Sequence, residues 1–271
     1  NRSADPFQIL AGAPAAAAYR HLMPTLPWKT VWITGASTGI GREIALQLAA
    51  QGVTVAASAR SAGKLASLGP NIRPYPLDVT DQQAILATVE KIEQELGPID
   101  LAIMAAGTYS PLDVEKFDPL LFEAAMTTNY LGVVNCLAGL LPRLLSRRRG
   151  HVAWIASVAG FVGLPKAAAY GPSKAALINL AESLKVDLEL RGVSVSVVNP
   201  GFVETPLTAQ NDFSMPFLMQ APEAARLTIE GLRRHRFEIS YPWRFVLIMK
   251  LARLLPYALF FRLIKGTVLK A

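Results

Sequence analysis

The sequence predicts one α/β domain built on a doubly wound parallel sheet, followed by a C-terminal helical extension. Three observations predict this class. From Lys29 onward, short runs of β-branched residues alternate with helical patterns, which is typical of a parallel sheet with crossover helices. Several of these runs are almost continuously apolar, as strands covered on both faces are. The first run ends in the glycine-rich turn "TGASTGIG", which leads directly into a helical pattern.

The predicted elements alternate regularly along the chain. Strands are predicted in the order 30–35, 53–58, 72–78, 100–107, 151–157 and 193–200. Helices are predicted near 39–51, 80–96, 118–145, 168–191 and 222–234. Residues 124–142 carry no charge over 19 positions, a length that could cross a membrane. Strand patterns on both sides of this run, and threonines and asparagines within it, favour a buried crossover helix instead.

The composition bears on disulfides, on metal sites and on the binding partner of the C-terminal tail. The single cysteine, Cys136, excludes an intramolecular disulfide and fits a reducing, cytoplasmic compartment. The three histidines are far apart and show no metal-ligand spacing, so we expect no metal site. The net charge of +7 is concentrated in residues 233–271, which hold nine Lys/Arg and one acid. This tail is also rich in Leu, Phe and Ile, which favours an anionic membrane surface over nucleic acid as its partner.

The glycine turn after the first strand predicts a phosphate-binding site. Glycine is needed where the backbone turns sharply or approaches a phosphate closely, and a helix N-terminus offers free N–H groups to the anion. The spacing G-x-x-x-G-x-G differs from the common dinucleotide fingerprint, and a tight turn without a ligand is the alternative. The predicted diphosphate-binding residues are Gly35, Ser37, Thr38, Gly39, Ile40 and Gly41.

The end of the second strand indicates which dinucleotide is bound. An acid about 20 residues after the glycines would bind the ribose 2′-hydroxyl of NAD. Here Arg60 lies nineteen residues after Gly41, with no acid nearby and Lys64 following. Arginine binds phosphate through paired, charge-assisted hydrogen bonds, so a 2′-phosphate and hence NADP are predicted. A solvated surface arginine is the alternative.

Tyr170 and Lys174 form a candidate acid–base pair. They are four residues apart, so on a helix they share one face, one turn from each other. A nearby ammonium stabilises a phenolate and lowers the pKa of the phenol, which would suit proton transfer near neutral pH. Ser157 ends a predicted strand, where ligand-side residues of an open parallel sheet lie. Its hydroxyl could hold a carbonyl or hydroxyl oxygen beside the tyrosine.

Taken together, these motifs resemble the short-chain dehydrogenase/reductase family. The matching segments are "TGASTGIG", "LDVTD", "TTNYLG", "IASVAG", "YGPSK" and "NPGFVET", and the resemblance covers about residues 29 to 235. It implies a catalytic tetrad of Asn129, Ser157, Tyr170 and Lys174. In the family the tyrosine is the general acid or base, the serine orients the substrate oxygen, and the lysine binds the nicotinamide ribose and lowers the tyrosine pKa. The asparagine supports a water in a proton relay.

The resemblance also implies further cofactor contacts. Asp78 and Val79 would flank the adenine, and the nicotinamide and diphosphate would be lined by Pro200, Gly201, Val203 and Thr205. The family usually shows an asparagine after the fourth strand, whereas this chain reads "MAAG" over residues 104–107. Ala105 therefore lacks the amide of that asparagine, and backbone contacts from Ala106 and Gly107 are expected in its place. Family members are commonly dimers or tetramers, which here would associate through the two long helices near 118–145 and 168–191.

The chain is divided into an N-terminal arm (1–28), a Rossmann-type dinucleotide-binding catalytic domain (29–242) and an amphipathic C-terminal extension (243–271). Within the arm, "ILAGAPAAAA" weakly resembles a signal-peptide core, but Asp5 precedes it and an arm or short helix is preferred. The extension has no 18-residue apolar run, and Pro256 should divide its helix. It is interpreted as a peripheral membrane anchor, with a subunit-interface helix as the alternative.

The substrate is expected to be apolar. The segment after the proline–glycine motif contains Phe213, Met215, Phe217, Leu218 and Met219, and no cluster of basic residues that would anchor a carboxylate or phosphate. These residues could instead pack against the protein's own tail. The sequence therefore predicts an NADP-dependent oxidoreductase that interconverts a lipid- or sterol-like ketone and its secondary alcohol. The alternatives are a reductase of long-chain acyl or sphingoid ketones and a non-catalytic nucleotide-binding scaffold.

Overall fold

Seven parallel strands form the central sheet of the computed structural model, which describes residues 26–268. The strands, in chain order, are β1 (Thr30–Thr34), β2 (Thr54–Ser58), β3 (Ile72–Pro74), β4 (Leu101–Met104), β5 (Gly150–Ile155), β6 (Val193–Pro200) and, at one edge, β9 (Glu238–Tyr241). Their order across the sheet is β3-β2-β1-β4-β5-β6-β9. Two short strands, β7 (Val203–Glu204) and β8 (Met219–Gln220), pair separately with each other.

Helices cover both faces of the sheet. They are α1 (Gly39–Ala50), α2 (Ala62–Ala66), α3 (Gln82–Leu96), α4 (Pro119–Ala125), α5 (Gly132–Ser146), α6 (Tyr170–Glu189), α7 (Ala221–Arg233), α8 (Trp243–Leu254) and α9 (Tyr257–Val268). One hydrophobic core lies between the sheet and helices α3, α5, α6 and α8. A second core lies on the opposite face, where α1, α2 and α7 pack. The apolar character of the strands follows from this double coverage, and β1 is buried along its whole length.

The chain reverses its direction across the sheet between β1 and β4. After β1 it builds outward through β2 and β3, and then returns to place β4 on the other side of β1, in register from Val31 opposite Leu101. In open parallel sheets the crevice at such a point, outside the carboxyl ends of the strands, is where ligands bind. By this rule the ligand crevice of this fold is expected among the loops after β1, β4, β5 and β6.

The predicted fold class is confirmed, and the six predicted strands are all present. Strand β9 was not predicted, and neither were β7, β8 or the short helix α2. Judged by length and composition alone, the segment Pro119–Arg147, which contains the charge-free run, could cross a membrane. In the fold it is a crossover helix, because Val133, Cys136, Leu137 and Leu140 are buried in the core. A π-helical segment, Met126–Leu131, joins α4 to α5.

The C-terminal extension forms two helices separated at Pro256, as the sequence predicted. Helix α8 buries Phe245, Val246 and Met249 against the core, and α9 buries Phe260. Nine other large apolar side chains of the two helices are exposed: Trp243, Leu247, Ile248, Leu251, Leu254, Tyr257, Leu259, Phe261 and Leu263. The predicted N-terminal arm lies outside the described residues except for 26–28.

Candidate active site

The four residues of the predicted tetrad lie at the carboxyl end of the sheet. Asn129 lies in the π-helical segment, and Ser157 follows β5. Tyr170 and Lys174 lie in the first two turns of α6. Asn129, Ser157 and Lys174 are at least nine-tenths buried as whole residues, so their polar groups are held by the protein rather than by solvent, whereas Tyr170 is half-buried. A π-helical turn is rare in proteins and is frequent at functional sites.

Lys174 is positioned by both the sheet and the helix. Its Nζ donates a hydrogen bond to the carbonyl oxygen of Ile155 at 2.8 Å and lies 5.4 Å from the centroid of the Tyr170 ring. A Cβ atom built on Gly107 would lie 3.6 Å from this Nζ and 3.3 Å from Oδ1 of Asn129. The lysine and the asparagine therefore border the same small space beside the loop after β4.

The pKa values in this site differ from the expectation of a lowered tyrosine pKa. Burial raises the pKa of Tyr170 to about 12, although a hydrogen bond with Ser157 acts in the opposite direction. Burial also lowers the pKa of Lys174 to about 7. The ammonium faces the tyrosine ring, and its hydrogen bond goes to a backbone carbonyl. Desolvation therefore outweighs any stabilisation of the phenolate by the lysine.

Ser157 and Asn129 are oriented by backbone groups. The Ser157 hydroxyl accepts a hydrogen bond from the backbone N–H of Ala159 at 3.1 Å and donates one to the carbonyl of Pro200 at 3.4 Å. The Asn129 amide accepts from the N–H of Thr108 at 2.7 Å and donates to that residue's carbonyl at 3.0 Å. It also donates to the hydroxyl of Ser173 at 2.9 Å. Each side chain is thus held in one orientation at the crevice.

The turn after β1 leaves no room for a side chain at two of its glycines. Gly35 has a φ of +67°, and a Cβ there would lie 2.6 Å from the backbone of Ala105. A Cβ on Gly41 would lie 2.5 Å from the carbonyl oxygen of Gly35. Helix α1 begins at Gly39, and the side chain of Thr38 does not cap it, so that side chain leaves the first N–H groups of the helix unpaired. Unpaired N–H groups at a helix N-terminus can bind an anion, which is compatible with the predicted diphosphate site at Ser37, Thr38, Gly39 and Ile40.

The residues predicted to bind the adenosine half lie at the ends of β2 and β3. Hydrogen bonds from the backbone and side chain of Thr80 lower the pKa of Asp78 and hold its carboxylate. Arg60 is exposed just after β2, and its charge lowers that pKa further. Val79 is buried, and its carbonyl accepts a hydrogen bond from Asn135 at 3.1 Å. Arg60 and Asp78 therefore lie near each other at the same edge of the crevice.

The remaining predicted cofactor residues lie in the loops after β4 and β6. Ala106 donates its N–H to the hydroxyl of Thr34 at 3.4 Å, and Gly107 adjoins Asn129 and Lys174. Pro200 ends β6 and is followed by Gly201, Val203 and Thr205. The N–H of Thr205 donates to the hydroxyl of Thr208 at 3.0 Å, which holds this loop in shape. The predicted residues are thus distributed around one crevice.

Three residues of the site were not predicted from the sequence. Ser173 and Thr108 hold the amide of Asn129. Tyr109 packs edge-on against Tyr170, with ring centroids 5.2 Å apart. Ser173 lies within the quoted segment "YGPSK" and could have been found from its place between the tyrosine and the lysine. Nothing in the sequence indicates that Tyr109 lies against a residue 61 positions further along the chain.

The described residues contain no group of three or more His, Cys, Asp or Glu side chains that could hold a metal ion. The buried imidazole of His151 instead stacks on His235, with centroids 5.2 Å apart. Burial lowers the pKa of His151 to about 3, so it is a neutral structural group.

Comparison with known proteins gives consistent matches. The sequence model of the short chain dehydrogenases matches residues 29–214. The chain is 38% identical over 245 residues to an oxidoreductase of Myxococcus xanthus, covering 88% of this chain and 97% of that protein. It is 34% identical over 190 residues to the 3-oxoacyl-[acyl-carrier-protein] reductase of Thermotoga maritima, covering 68% of this chain and 77% of that enzyme.

Solved structures share the fold over most of the chain. A short chain dehydrogenase/reductase of Burkholderia phymatum in complex with NAD superposes with a TM-score of 0.77 at 23% identity, covering 85% of this chain and 94% of that one. A variant of the actinorhodin polyketide ketoreductase with NADPH superposes with a TM-score of 0.71 at 25% identity, covering 81% and 97%. The two complexes hold different nicotinamide cofactors, so the superpositions do not distinguish NAD from NADP.

Proposed function

Because the chain belongs to the short-chain dehydrogenase/reductase family of oxidoreductases, which bind nicotinamide cofactors, we propose that it interconverts an apolar ketone and its secondary alcohol with NADP. The observation that carries this proposal is the convergence of Ser157, Tyr170, Lys174 and Asn129 at the crevice. A nucleotide-binding scaffold would need the glycine turn but not a phenol beside a buried amine. The bound cofactor would supply or accept the hydride.

Each residue of the tetrad has a distinct role in the proposal. Tyr170 transfers the proton to or from the substrate oxygen, and Ser157 holds that oxygen by a hydrogen bond. Lys174 lies beside Tyr170 and supports the negative charge that develops on the phenol oxygen of the tyrosine. Asn129 holds the loop after β4 through Thr108 and borders the space that Lys174 also borders. These roles require no metal ion.

The proposed preference for NADP rests on Arg60. Its guanidinium is exposed at the end of β2, beside the edge of the crevice where the adenosine ribose would lie. No acidic residue follows β2 before Asp78, whose carboxylate is already bound to Thr80. A 2′-phosphate would find a cation here, whereas a 2′-hydroxyl would find no acidic acceptor.

The proposed substrate is apolar because the segment after β7 presents apolar side chains near the crevice. Phe217 and Leu218 are nearly half exposed. Part of this segment packs against the protein itself, since the ring of Phe217 lies 6.1 Å from that of Phe245 in α8, and Phe213 packs on Phe202. The named relative acts on 3-oxoacyl chains, so reduction of a long-chain acyl ketone is the second candidate, and sphingoid ketones belong to the same class.

A substrate screen at fixed NADPH concentration tests the proposed function. The panel would contain 2-decanone, a steroid ketone, a 3-oxooctanoyl thioester and a short, charged 2-oxo acid, with NADH run in parallel. We expect NADPH consumption with one or more of the three apolar carbonyl compounds and none with the charged acid. Turnover of the charged acid alone would exclude an apolar substrate, and faster turnover with NADH would exclude the NADP assignment.

We further propose that the protein is cytoplasmic, acts at the surface of an anionic membrane and forms a homodimer or homotetramer. The membrane proposal is supported by the nine exposed apolar side chains of α8 and α9, together with Arg244, Arg253, Arg262 and Lys265. The oligomer proposal is supported by exposed apolar side chains on the two long-helix segments: Leu120, Leu131, Val186 and Leu190.

A further inference from the structure

The loop between β7 and β8 is joined by backbone pairing at its two ends. We call residues 205–218 the covering segment. The parallel pairing of Val203 with Met219 and of Glu204 with Gln220 brings its ends together. At its start, the hydroxyl of Thr208 donates to the carbonyl of Val203 at 2.6 Å. The segment is therefore a loop whose two ends lie close together.

The middle of the covering segment has one polar attachment to another part of the described chain. Both carboxylate oxygens of Asp212 accept hydrogen bonds from Nζ of Lys166, at 2.6 and 2.7 Å. The lysine holds the pKa of Asp212 below its usual value, so the carboxylate is ionised at neutral pH. The other attachments are apolar ring contacts of Phe213 and Phe217.

The backbone of Lys166 is held in place by its neighbours. It lies in the loop that leads from Ser157 to Tyr170, and its carbonyl accepts a hydrogen bond from the N–H of Leu112 at 2.9 Å. Its φ of +61° is unfavourable for a residue with a side chain, and such a conformation persists only where the surroundings enforce it. The next residue, Ala167, accepts a hydrogen bond from Gly171 at 2.7 Å at the start of α6.

The ion pair lies beside the proposed catalytic tyrosine. Tyr109 packs edge-on against Tyr170, as described above, and is half-buried. The pKa of Tyr109 is raised mainly by burial and further by the negative charge of Asp212. Lys166, the partner of Asp212, lies four residues before Tyr170, so the ion pair joins the covering segment to the loop that leads into the tyrosine.

We propose that Lys166 and Asp212 are positioning residues whose ion pair closes the covering segment over the substrate site next to Tyr170. The proposal rests on the proposed function for the meaning of the site, but the closure itself is a property of the fold. Opening breaks the ion pair and the ring contacts, and admits or releases substrate. Neither residue takes part in the chemical step.

The exposure of the pair suits a contact that must break in each catalytic cycle. The side chains of Lys166 and Asp212 are 45% and 70% exposed, so salt and water screen their attraction. Exposed pairs of this kind change an equilibrium by roughly a factor of two to five. The pair therefore biases the covering segment towards closure without locking it.

Hydrogen–deuterium exchange of residues 205–218 tests the proposal without requiring turnover. In Asp212→Asn and Lys166→Met, we expect exchange of this segment to be roughly two to five times faster than in the wild type. The charge swap Lys166→Asp/Asp212→Lys should restore most of the protection. At 1 M NaCl the wild type should exchange as fast as the single variants, whose rates should change little with salt.

The matched control is Asp187→Asn. Asp187 lies on α6, its side chain is 74% exposed, and its carboxylate forms an ion pair with Arg191. This substitution should leave exchange of residues 205–218 unchanged. Unchanged exchange in Asp212→Asn, or a charge swap no better than the single variants, would overturn the proposal.

A kinetic measurement separates this proposal from the proposed function. For NADPH-dependent reduction of 2-decanone, opening the segment should raise KM roughly two- to fivefold without lowering kcat, and the charge swap should reverse the change. If the wild type reduces none of the carbonyl compounds, the proposed function fails while the exchange result still stands. If the wild type is active and the KM of the Asp212 variant is unchanged, the positioning role fails alone.

Discussion

At the level of single residues, burial sets the charge state of the proposed acid–base pair. The pKa of Tyr170 is raised to about 12, so its phenol is protonated at neutral pH. The pKa of Lys174 is lowered to about 7, so its ammonium is only partly populated there. A protonated phenol can donate its proton to a carbonyl oxygen, as the reductive direction requires. Lys174 can support a phenolate only when a change in the surroundings of the lysine raises its pKa and keeps it positively charged.

The buried lysine also predicts how stability depends on pH. Because the folded pKa of Lys174 is about 7 and the unfolded value is near 10.5, the unfolded chain binds more protons between these values. Stability should therefore rise with pH across this window, relative to Lys174→Met, by up to about 1.4 kcal/mol per pH unit. Urea unfolding of both cofactor-free proteins at pH 7, 8 and 9 measures the difference. If the free energies of unfolding of the wild type and Lys174→Met changed with pH in the same way, Lys174 would be charged in the folded protein.

Arg60 predicts the choice of cofactor. In Arg60→Asp, the 2′-phosphate loses its cation and meets a carboxylate, so the Kd for NADPH should rise by roughly ten- to a hundredfold. The same carboxylate can accept the ribose hydroxyls of NADH, whose Kd should fall or stay constant. Fluorescence titration measures both. Arg73→Asp, at an exposed arginine on the neighbouring strand β3, is the control and should change neither Kd. Equal losses for NADH and NADPH in Arg60→Asp would show a general structural effect.

At the level of elements, the turn between β1 and α1 should tolerate no added side chain. In Gly41→Ala, the new methyl would lie 2.5 Å from a backbone oxygen that cannot move away freely. We expect a loss of about 1–3 kcal/mol in the free energy of unfolding, together with weakened NADPH binding.

Gly63→Ala is the matched control for this turn. Nothing lies within 4 Å of the added carbon in helix α2, so this change should be neutral or stabilising by about 0.4–1 kcal/mol. Urea denaturation and NADPH titration of both variants make the comparison. Equal stability and equal NADPH affinity of Gly41→Ala and Gly63→Ala would contradict the close backbone approach at Gly41.

The two C-terminal helices predict binding to anionic vesicles. Since each cation near such a surface contributes about 1 kcal/mol, the double variant Arg262→Glu/Lys265→Glu should weaken binding at low salt by at least about tenfold. Wild-type binding should exceed that to neutral vesicles and fall with added salt without vanishing, because apolar insertion is not screened.

The control is Lys91→Glu/Lys116→Glu, which makes the same change in net charge away from α8 and α9, at Lys91 in α3 and Lys116 before α4. Vesicle sedimentation with both variants separates a local surface from net charge. A wild type that ignores vesicles, but whose oligomer size changes when residues 256–271 are removed, would assign this surface to a subunit interface. Removing α8 as well would be a poorer test, since Phe245, Val246 and Met249 belong to the core.

At the level of the whole molecule, the central strands and their crossover helices could be predicted because burial on both faces leaves an apolar sequence. Strand β9 was missed because the prediction relied on continuous apolar runs, whereas "EISY" alternates polar and apolar residues, as a half-exposed edge strand does. The break in the extension was predictable from Pro256. The packing of α8 was not, because a mixed apolar and basic pattern does not indicate which side contacts the core.

The candidate site was predictable where its residues are close in sequence or resemble a known family. The glycine turn and the Tyr170–Lys174 pair belong to local motifs. Contacts made across the fold carry no such signal: Lys166 and Asp212 are 46 positions apart and meet only because two loops cross the same crevice. The raised tyrosine pKa was also not predictable, since it depends on burial rather than on the neighbouring lysine in sequence.

The central claim is that this chain transfers a hydride between NADP and a carbonyl carbon while Tyr170 transfers the proton. The most direct measurement is mass spectrometry of the alcohol formed from an apolar ketone and NADPH deuterated at the transferring position of nicotinamide C4. The wild type should place one deuterium on the carbinol carbon. Tyr170→Phe should bind NADPH normally, yet form product at least about a hundredfold more slowly. Unlabelled alcohol from the wild type, or labelled alcohol at the wild-type rate from Tyr170→Phe, would contradict the account.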